Sequence, residues 1–322
     1  MKILPFDSHN HVHMRPNPSA LALLHPSSVS ELLNNEVSGA APYNTSSSAK
    51  PGSSALSGMA IMSTHPRDFE PVLKLATHTL PMEQPHIKIV PCFGVHPWFL
   101  HELSDEDWNR VPHSSSLVSS SLSMPPAPAW LTAMEQLLLQ NPCSIVGEIG
   151  LDGFHFDGKT RKLVSPVEKQ VEAFRLQLEL ASRLKRPVSI HCVRSFGPLM
   201  ETLSKVKKTH GLPPKLYFHA FGGKSGTVDQ LVALCGREAG RVYFGFAPII
   251  NARSPKTPEL IRKIGLDQLV IETDHENSAL VPGSIQKSVQ MLSEALGEAE
   301  DVVIETTTKN AFELFGIDRD LN

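Results

Sequence analysis

The segment FDSHNHVHM places histidines at positions 9, 11 and 13 behind a short apolar run. Imidazole is the commonest side-chain metal ligand, and its charge changes close to neutral pH. In an extended segment side chains alternate faces, so His9, His11 and His13 would point the same way as Asp7. A polar strand end facing water would show the same spacing. The rest of the chain decides between the two readings. Glu148 in VGEIGLD, His191 in SIHCVR, His219 in YFHAFGG and Asp274 in VIETD each sit near the end of an apolar run. Burying that many titratable groups without partners costs several kcal/mol each, and a divalent cation is an economical partner. Mixed imidazole and carboxylate ligands suit Zn, Mn, Fe, Co or Mg, and the absence of thiolates argues against a closed structural zinc site. Six ligands exceed one tetrahedral shell. A pair of ions about 3.5–4 Å apart, sharing one carboxylate, uses them all. Glu148, central in strand order, is the expected bridge.

These residues can meet only if the elements carrying them converge. Short β-rich runs occur at 2–9, 58–64, 87–94, 143–150, 187–192, 215–222, 241–248 and 268–274. Most are continuous apolar runs, as expected of strands buried on both faces of a parallel sheet. Helical patterning fills 67–80, 128–141, 167–185, 195–211, 224–240 and 282–297. Strand and helix alternating in this order spell an α/β fold, a (β/α)8 TIM barrel, in which the C-terminal strand ends share one rim. A single domain over 1–322 is expected, with flexible insertions at 38–58 and 112–129, both rich in Ser, Pro, Gly and Ala.

Bulk properties narrow the function classes. Hydrophobic residues make up 41% of 322, enough for a sizeable core, while a formal charge of -3 supplies no global basic field for nucleic acid or membrane. Any phosphate binding must be local. The start MKILPFDSH lacks a signal-peptide core, and no apolar run approaches the roughly 18 residues of a membrane span. Cys92, Cys143, Cys192 and Cys235 form no CxxC and are expected as buried small apolar residues in a reducing compartment. A soluble, intracellular, cytoplasmic or nuclear monomer is the expectation.

The set FDSHNH, GVHPW (94–98), VGEIGLD (146–152), IHCVR (190–194), FHAFGG (218–223) and IETD (271–274) resembles the TatD family of metal-dependent deoxyribonucleases, and TTTKNAFELFGI (306–317) is similar to its closing helix. The resemblance implies two divalent metal ions, Mg, Mn or Zn. His9, His11, Glu148 and Asp274 would hold one; Glu148, His191 and His219 would hold the other. It implies phosphodiester hydrolysis, as a DNase with 3′-5′ exonuclease activity, by a water activated between the ions, with Asp274 both ligating and taking a proton. The family motif supplies two histidines, so His13 is expected outside the ligand set. Arg194 could fork onto a phosphate oxygen or make a helix-entry salt bridge. His96 could touch substrate or support a ligand, and Arg253 and Lys256, which follow a strand on the presumed rim, are candidate phosphate contacts. Glu272 should point away from Asp274 and serve as a support. Trp98 and Phe221 are candidate stacking aromatics, with packing the simpler expectation for each. KTRK (159–162), RLKR (183–186) and KKTH (207–210) are expected as solvated helix ends or loops. After strand eight the chain reads TDHENSALVPGS (273–284), unlike the family's usual Thr-Asp-Ala-Pro. The substrate surround is therefore this chain's own. Two other readings stand beside the nuclease: a metal-dependent amide, ester or lactone hydrolase, and a non-catalytic member acting through a protein partner.

Overall fold

A computed structural model of the chain describes residues 3–14, 56–77, 87–111, 126–236 and 240–317. The apolar runs become eight parallel strands in chain order: β1 (Phe6–Asn10), β2 (Gly58–Met62), β3 (Lys88–Phe93), β4 (Ile145–Asp152), β5 (Val188–Val193), β6 (Leu216–Phe218), β7 (Val242–Gly245) and β8 (Leu269–Val270). Every residue of β1, β2, β4, β6, β7 and β8 is buried, which is why these strands read as apolar runs and not as alternations. The sheet closes where the two ends of the chain meet. Ser8 N donates to Ile271 O at 2.8 Å, and Asp274 N donates to His9 O at 2.9 Å. Asp7 fastens the seam by accepting Thr273 N at 3.0 Å and Thr273 Oγ1 at 2.8 Å. The eighth run, expected over 268–274, thus has a two-residue ladder to β7 and is tied beyond it to β1 by these individual hydrogen bonds.

Among the described residues, eight helices of eight residues or more surround the barrel: α1 (Phe69–Thr77), α2 (Ala129–Gln140), α3 (Val167–Arg183), α4 (Phe196–Thr209), α5 (Ser225–Cys235), α6 (Thr257–Ile264), α7 (Val281–Leu296) and α8 (Glu300–Phe315). The last two end on Gly297 and Gly316, whose positive φ angles of 74° and 66° suit a residue without a Cβ. On α8, Ala311, Leu314 and Phe315 join a buried cluster with Phe6, Ala60, Met62, Tyr217 and Tyr243, and the Phe6 and Phe315 rings lie 5.4 Å apart. Each such buried aromatic contributes roughly 1.5–3 kcal/mol of transfer free energy.

One helix does more than cover the sheet. Gln170 and Gln177 of α3 are buried, and each imitates a peptide group. Gln177 accepts Val95 N at 2.7 Å and donates to Val95 O at 3.2 Å, while Gln170 accepts Asp152 N at 2.7 Å and donates to Asp152 O at 3.0 Å. Satisfied amides of this kind fix the segments leaving β3 and β4, where His96 and Asp152 stand.

Of the expected insertions, 38–55 and 112–125 lie outside the described residues. The flanks are ordered into the fold: Leu56 is buried, and Ala127–Pro128 pairs antiparallel with Arg110–Val111 immediately before α2. Of the expected helices, 78–80 and 237–239 also lie outside the described residues. Cys92 and Cys235 are buried and Cys192 is half-buried, but Cys143 is exposed, since it stands in the short turn between α2 and β4.

Candidate metal centre

Glu148 stands at the centre of the strand mouth, 2% exposed, where the β4 register slips between Val146 and Ile149. A register irregularity is a device for re-aiming a side chain. Its two oxygens face different neighbours. Oε2 lies 3.3 Å from His9 Nε2 and 3.1 Å from His11 Nε2. Oε1 lies 2.6 Å from His219 Nε2, 3.1 Å from His191 Nδ1 and 3.3 Å from His96 Nε2. Asp274 adjoins the first set, with Oδ1 3.8 Å from His9 Nε2 and 3.7 Å from His11 Nε2. The six residues singled out as ligands therefore converge. Three overlapping groups have ligand atoms all within 4.8 Å of one another: His9, His11 and Glu148; His9, His219 and Asp274; His96, Glu148 and His191.

The far sides of the rings fix which nitrogen is offered. His11 Nδ1 lies 3.0 Å from Met62 O, and a carbonyl only accepts, so Nδ1 donates and Nε2 keeps a lone pair for the centre. By the same reasoning His191 donates from Nε2 to Asp152 Oδ2 at 3.0 Å and offers Nδ1. His9 Nδ1 meets Ser189 Oγ at 3.1 Å. Glu148 Oε1 accepts no well-formed hydrogen bond despite the imidazoles around it. A buried, under-satisfied carboxylate oxygen facing imidazole nitrogens fits a divalent cation, and the borderline N/O donor set suits zinc, manganese or a similar ion.

Electrostatics agree. Burial would push the Glu148 carboxyl up, but His219, His96 and His9 outweigh it and hold the group well below the usual range. Burial opposes protonation of His11 and His191, yet the Glu148 carboxylate beside the first, and the Asp152 and Glu148 carboxylates beside the second, raise each to about 9. His96 goes the other way, to about 4, because burial dominates. Asp274 is raised, chiefly by burial. Without a cation the cluster therefore holds protons that a cation must displace.

Several expectations change. Asp7, His9, His11 and His13 do not share one direction, because the β1 register also slips between Asp7 and Asn10. Asp7 turns to the seam, and His13, half-buried, lies 3.7 Å from Asp68 Oδ2, outside the cluster. His96 is 4% exposed and lies within the Glu148 shell. The Arg194 guanidinium makes no salt bridge among the described residues; it lies 3.8 Å over the exposed Phe154 ring. Arg253 and Lys256 are exposed on the turn after β7. Glu272 is a support, accepting Ala220 N at 2.7 Å and the Tyr217 hydroxyl, and burial raises its carboxyl to about 8. Phe221 packs against Phe244 at 5.0 Å, whereas Trp98 is 39% exposed. Of the basic clusters, Arg183 reaches Glu135 at 2.6 Å and Lys207 donates to Leu234 O at 2.7 Å.

Asp152 is the residue missed by reading the sequence. It closes the run VGEIGLD four residues past Glu148, on the same face of an extended strand, and that parity was the available signal. Gly150 between them has φ 150°, and a Cβ there would strike the His191 backbone, so β4 and β5 approach closely where both carry site residues. Arg194, Ala220 and Asp274, just past β5, β6 and β8, have φ of 51°, 41° and 56°. Strained non-glycine backbone gathers at functional sites.

A parallel eight-stranded barrel with imidazoles and carboxylates at its C-terminal mouth is the architecture of a metal-dependent hydrolase. Residues 6–316 match the family described as TatD related DNase, and the chain belongs to that family. The Cut9-interacting protein scn1 of Schizosaccharomyces pombe is 25% identical over 290 residues, covering 73% of this chain and 84% of that protein. Human deoxyribonuclease TATDN3 is 27% identical over 257 residues, covering 78% and 81%. Escherichia coli YjjV, described as an uncharacterized metal-dependent hydrolase, is 26% identical over 267 residues, covering 80% and 85%. The crystal structure of YjjV aligns over 99% of this chain and 100% of that one, with a TM-score of 0.67 at 22% identity.

Proposed function

We propose that the protein hydrolyses phosphodiester bonds of DNA, trimming strands from a 3′ end, with two divalent cations held at the barrel mouth. The observation that carries this reading is the division of Glu148, one oxygen toward His9 and His11 and the other toward His191 and His219. His9, His11, Glu148 and Asp274 would hold one ion, and Glu148, His191 and His219 the other, with His96 close enough to join the second. When bound, such ions supply positive charge against an anionic phosphoryl transition state and make a water more acidic. Asp274 is the least enclosed member, its side chain 16% exposed, and would take the proton of the attacking water as the new phosphorus–oxygen bond forms and the ester bond breaks, the departing oxygen taking a proton from solvent. Met62 O, Ser189 and Asp152 hold the imidazoles in orientation. His191→Ala and Glu148→Gln, assayed beside wild type on short DNA strands with Mg, Mn, Zn and Co in turn, test the proposal. Cleavage by wild type and loss in both variants is expected; inactivity of wild type with every cation, or equal cleavage by all three, refutes it.

The same reading places the enzyme inside the cell, in cytoplasm or nucleus, where its substrate lies. Among the described residues no helix is long and apolar enough to cross a membrane. A second reading, action through a protein partner, draws on the fission-yeast relative's name and on Ile249 and Ile250, 55% and 54% exposed after β7. A cellular role that survives Glu148→Gln favours it.

A further inference from the structure

Eight large apolar side chains are exposed among the described residues, and six of them, Trp98, Phe154, Phe156, Ile249, Ile250 and Leu280, stand on segments that follow β3, β4, β7 and β8. Exposed apolar area gathered at the mouth of a site marks a binding surface. Part of it is held rigidly. Asp152 Oδ2 accepts the Trp98 indole Nε1 at 2.7 Å, and Oδ1 accepts the backbone N of Phe154 at 2.6 Å and of His155 at 2.9 Å. Trp98 stacks on His155, with centroids 4.6 Å apart and planes 30° apart, and Arg194 covers Phe154. The surface is continuous with the metal centre: the Trp98 ring is 5.2 Å from His96 and 6.1 Å from His191.

We propose that Trp98, Phe154 and Arg194 form a stacking platform for the unpaired bases of a DNA strand whose scissile phosphate lies at the Glu148 cluster. The proposal rests on the nuclease reading and adds to it a requirement for unstacked bases beside the cut. Fixed aromatic faces with an arginine beside them suit bases of any sequence, since every base presents a π face. A protein of net charge -3 has little long-range attraction for phosphates, so local stacking must supply affinity that a basic groove would otherwise give. Duplex ends would have to fray before they fit.

The test separates the two layers. Binding is read with chelator present, from anisotropy of a labelled single strand and, for variants that keep it, from quenching of the exposed Trp98. A strand with abasic residues near its 3′ end is compared with the same strand carrying bases. The expected preference for the base-bearing strand is about 5- to 150-fold for each stacked base, in Kd and, with cation restored, in KM. In Trp98→Ala and Phe154→Ala the ratio between the two strands collapses toward one, while circular dichroism reports the fold. Equal binding of both strands by wild type, or an undiminished ratio in both variants, overturns the platform. Wild type that prefers bases but cuts nothing with any cation overturns the nuclease reading and leaves the platform standing.

Discussion

Asp152→Asn is the substitution that most directly probes how the centre is held. The carboxylate serves four donors: His191 Nε2 at 3.0 Å, Trp98 Nε1 at 2.7 Å, and the backbone N of Phe154 and of His155 at 2.6 and 2.9 Å. An amide keeps one oxygen, which the two backbone groups occupy as they do in an Asx turn. Its NH2 then faces the indole N–H, donor to donor, and can meet His191 only by donating to Nε2. That moves the ring proton to Nδ1, the nitrogen 3.1 Å from Glu148 Oε1, and removes the lone pair a cation needs. Loss of such an orienting carboxylate costs about 10- to 100-fold in metal affinity, or about 1.4–2.8 kcal/mol. Calorimetric titration of the metal-free protein with Mn or Zn is the assay. We predict that the variant weakens one class of site by that factor and leaves the other, built on His9 and His11, within about twofold. An isotherm superimposable on wild type, or equal weakening of both classes, refutes the tautomer argument.

Further perturbations follow from the same geometry. Glu148→Gln should abolish tight binding of a second ion, because one oxygen is replaced by a donor; inductively coupled plasma analysis after dialysis reads the stoichiometry, and two retained ions would contradict it. Metal affinity should rise with pH from about 6.5 toward 9, since His11 and His191, each raised to about 9, must give up protons; titrations in buffers of different ionisation enthalpy would show proton release near pH 7, and no release would count against it. The sign for the metal-free fold is opposite: groups with raised folded pKa stabilise fully below the unfolded value near 6.5 and lose that contribution as pH passes about 9, so chemical denaturation midpoints should fall across that window. His13→Gln should leave metal stoichiometry unchanged, because His13 faces Asp68. Gly245→Ala should destabilise by about 1–3 kcal/mol, as the added methyl meets Glu272 and the Tyr217 hydroxyl; an unchanged thermal midpoint would show that this buried pair yields.

The barrel was legible because a strand buried on both faces must be an apolar run, and eight such runs came in order. The residues that converge at the mouth were legible for a related reason: His191 and His219 are polar residues at the ends of apolar strands, where only a rim or a partner tolerates them. What stayed hidden depends on departures from regular geometry. Strict alternation put Asp7 and His13 with His9 and His11, and the register slip in β1 redirects both. His96 reads as a residue at the end of the third strand with its role open, and the Gln177 clasp on Val95 shows how its segment is drawn inward. Asp152 looks like any acid before a glycine; its four donors come from β5, the turn after β3 and its own following loop, which no local pattern announces.

The seam between β1 and β8 has a consequence for how the molecule comes into being. Asp7 and Thr273, 266 positions apart, bond across it, and Asp274 takes its place beside His9 only through that seam. During synthesis β1, with His9 and the His11 that follows it, leaves the ribosome long before its partner exists. A growing polypeptide therefore carries only part of the shell around Glu148 until residue 274 has emerged. The cluster stays open until the eighth strand has joined the first.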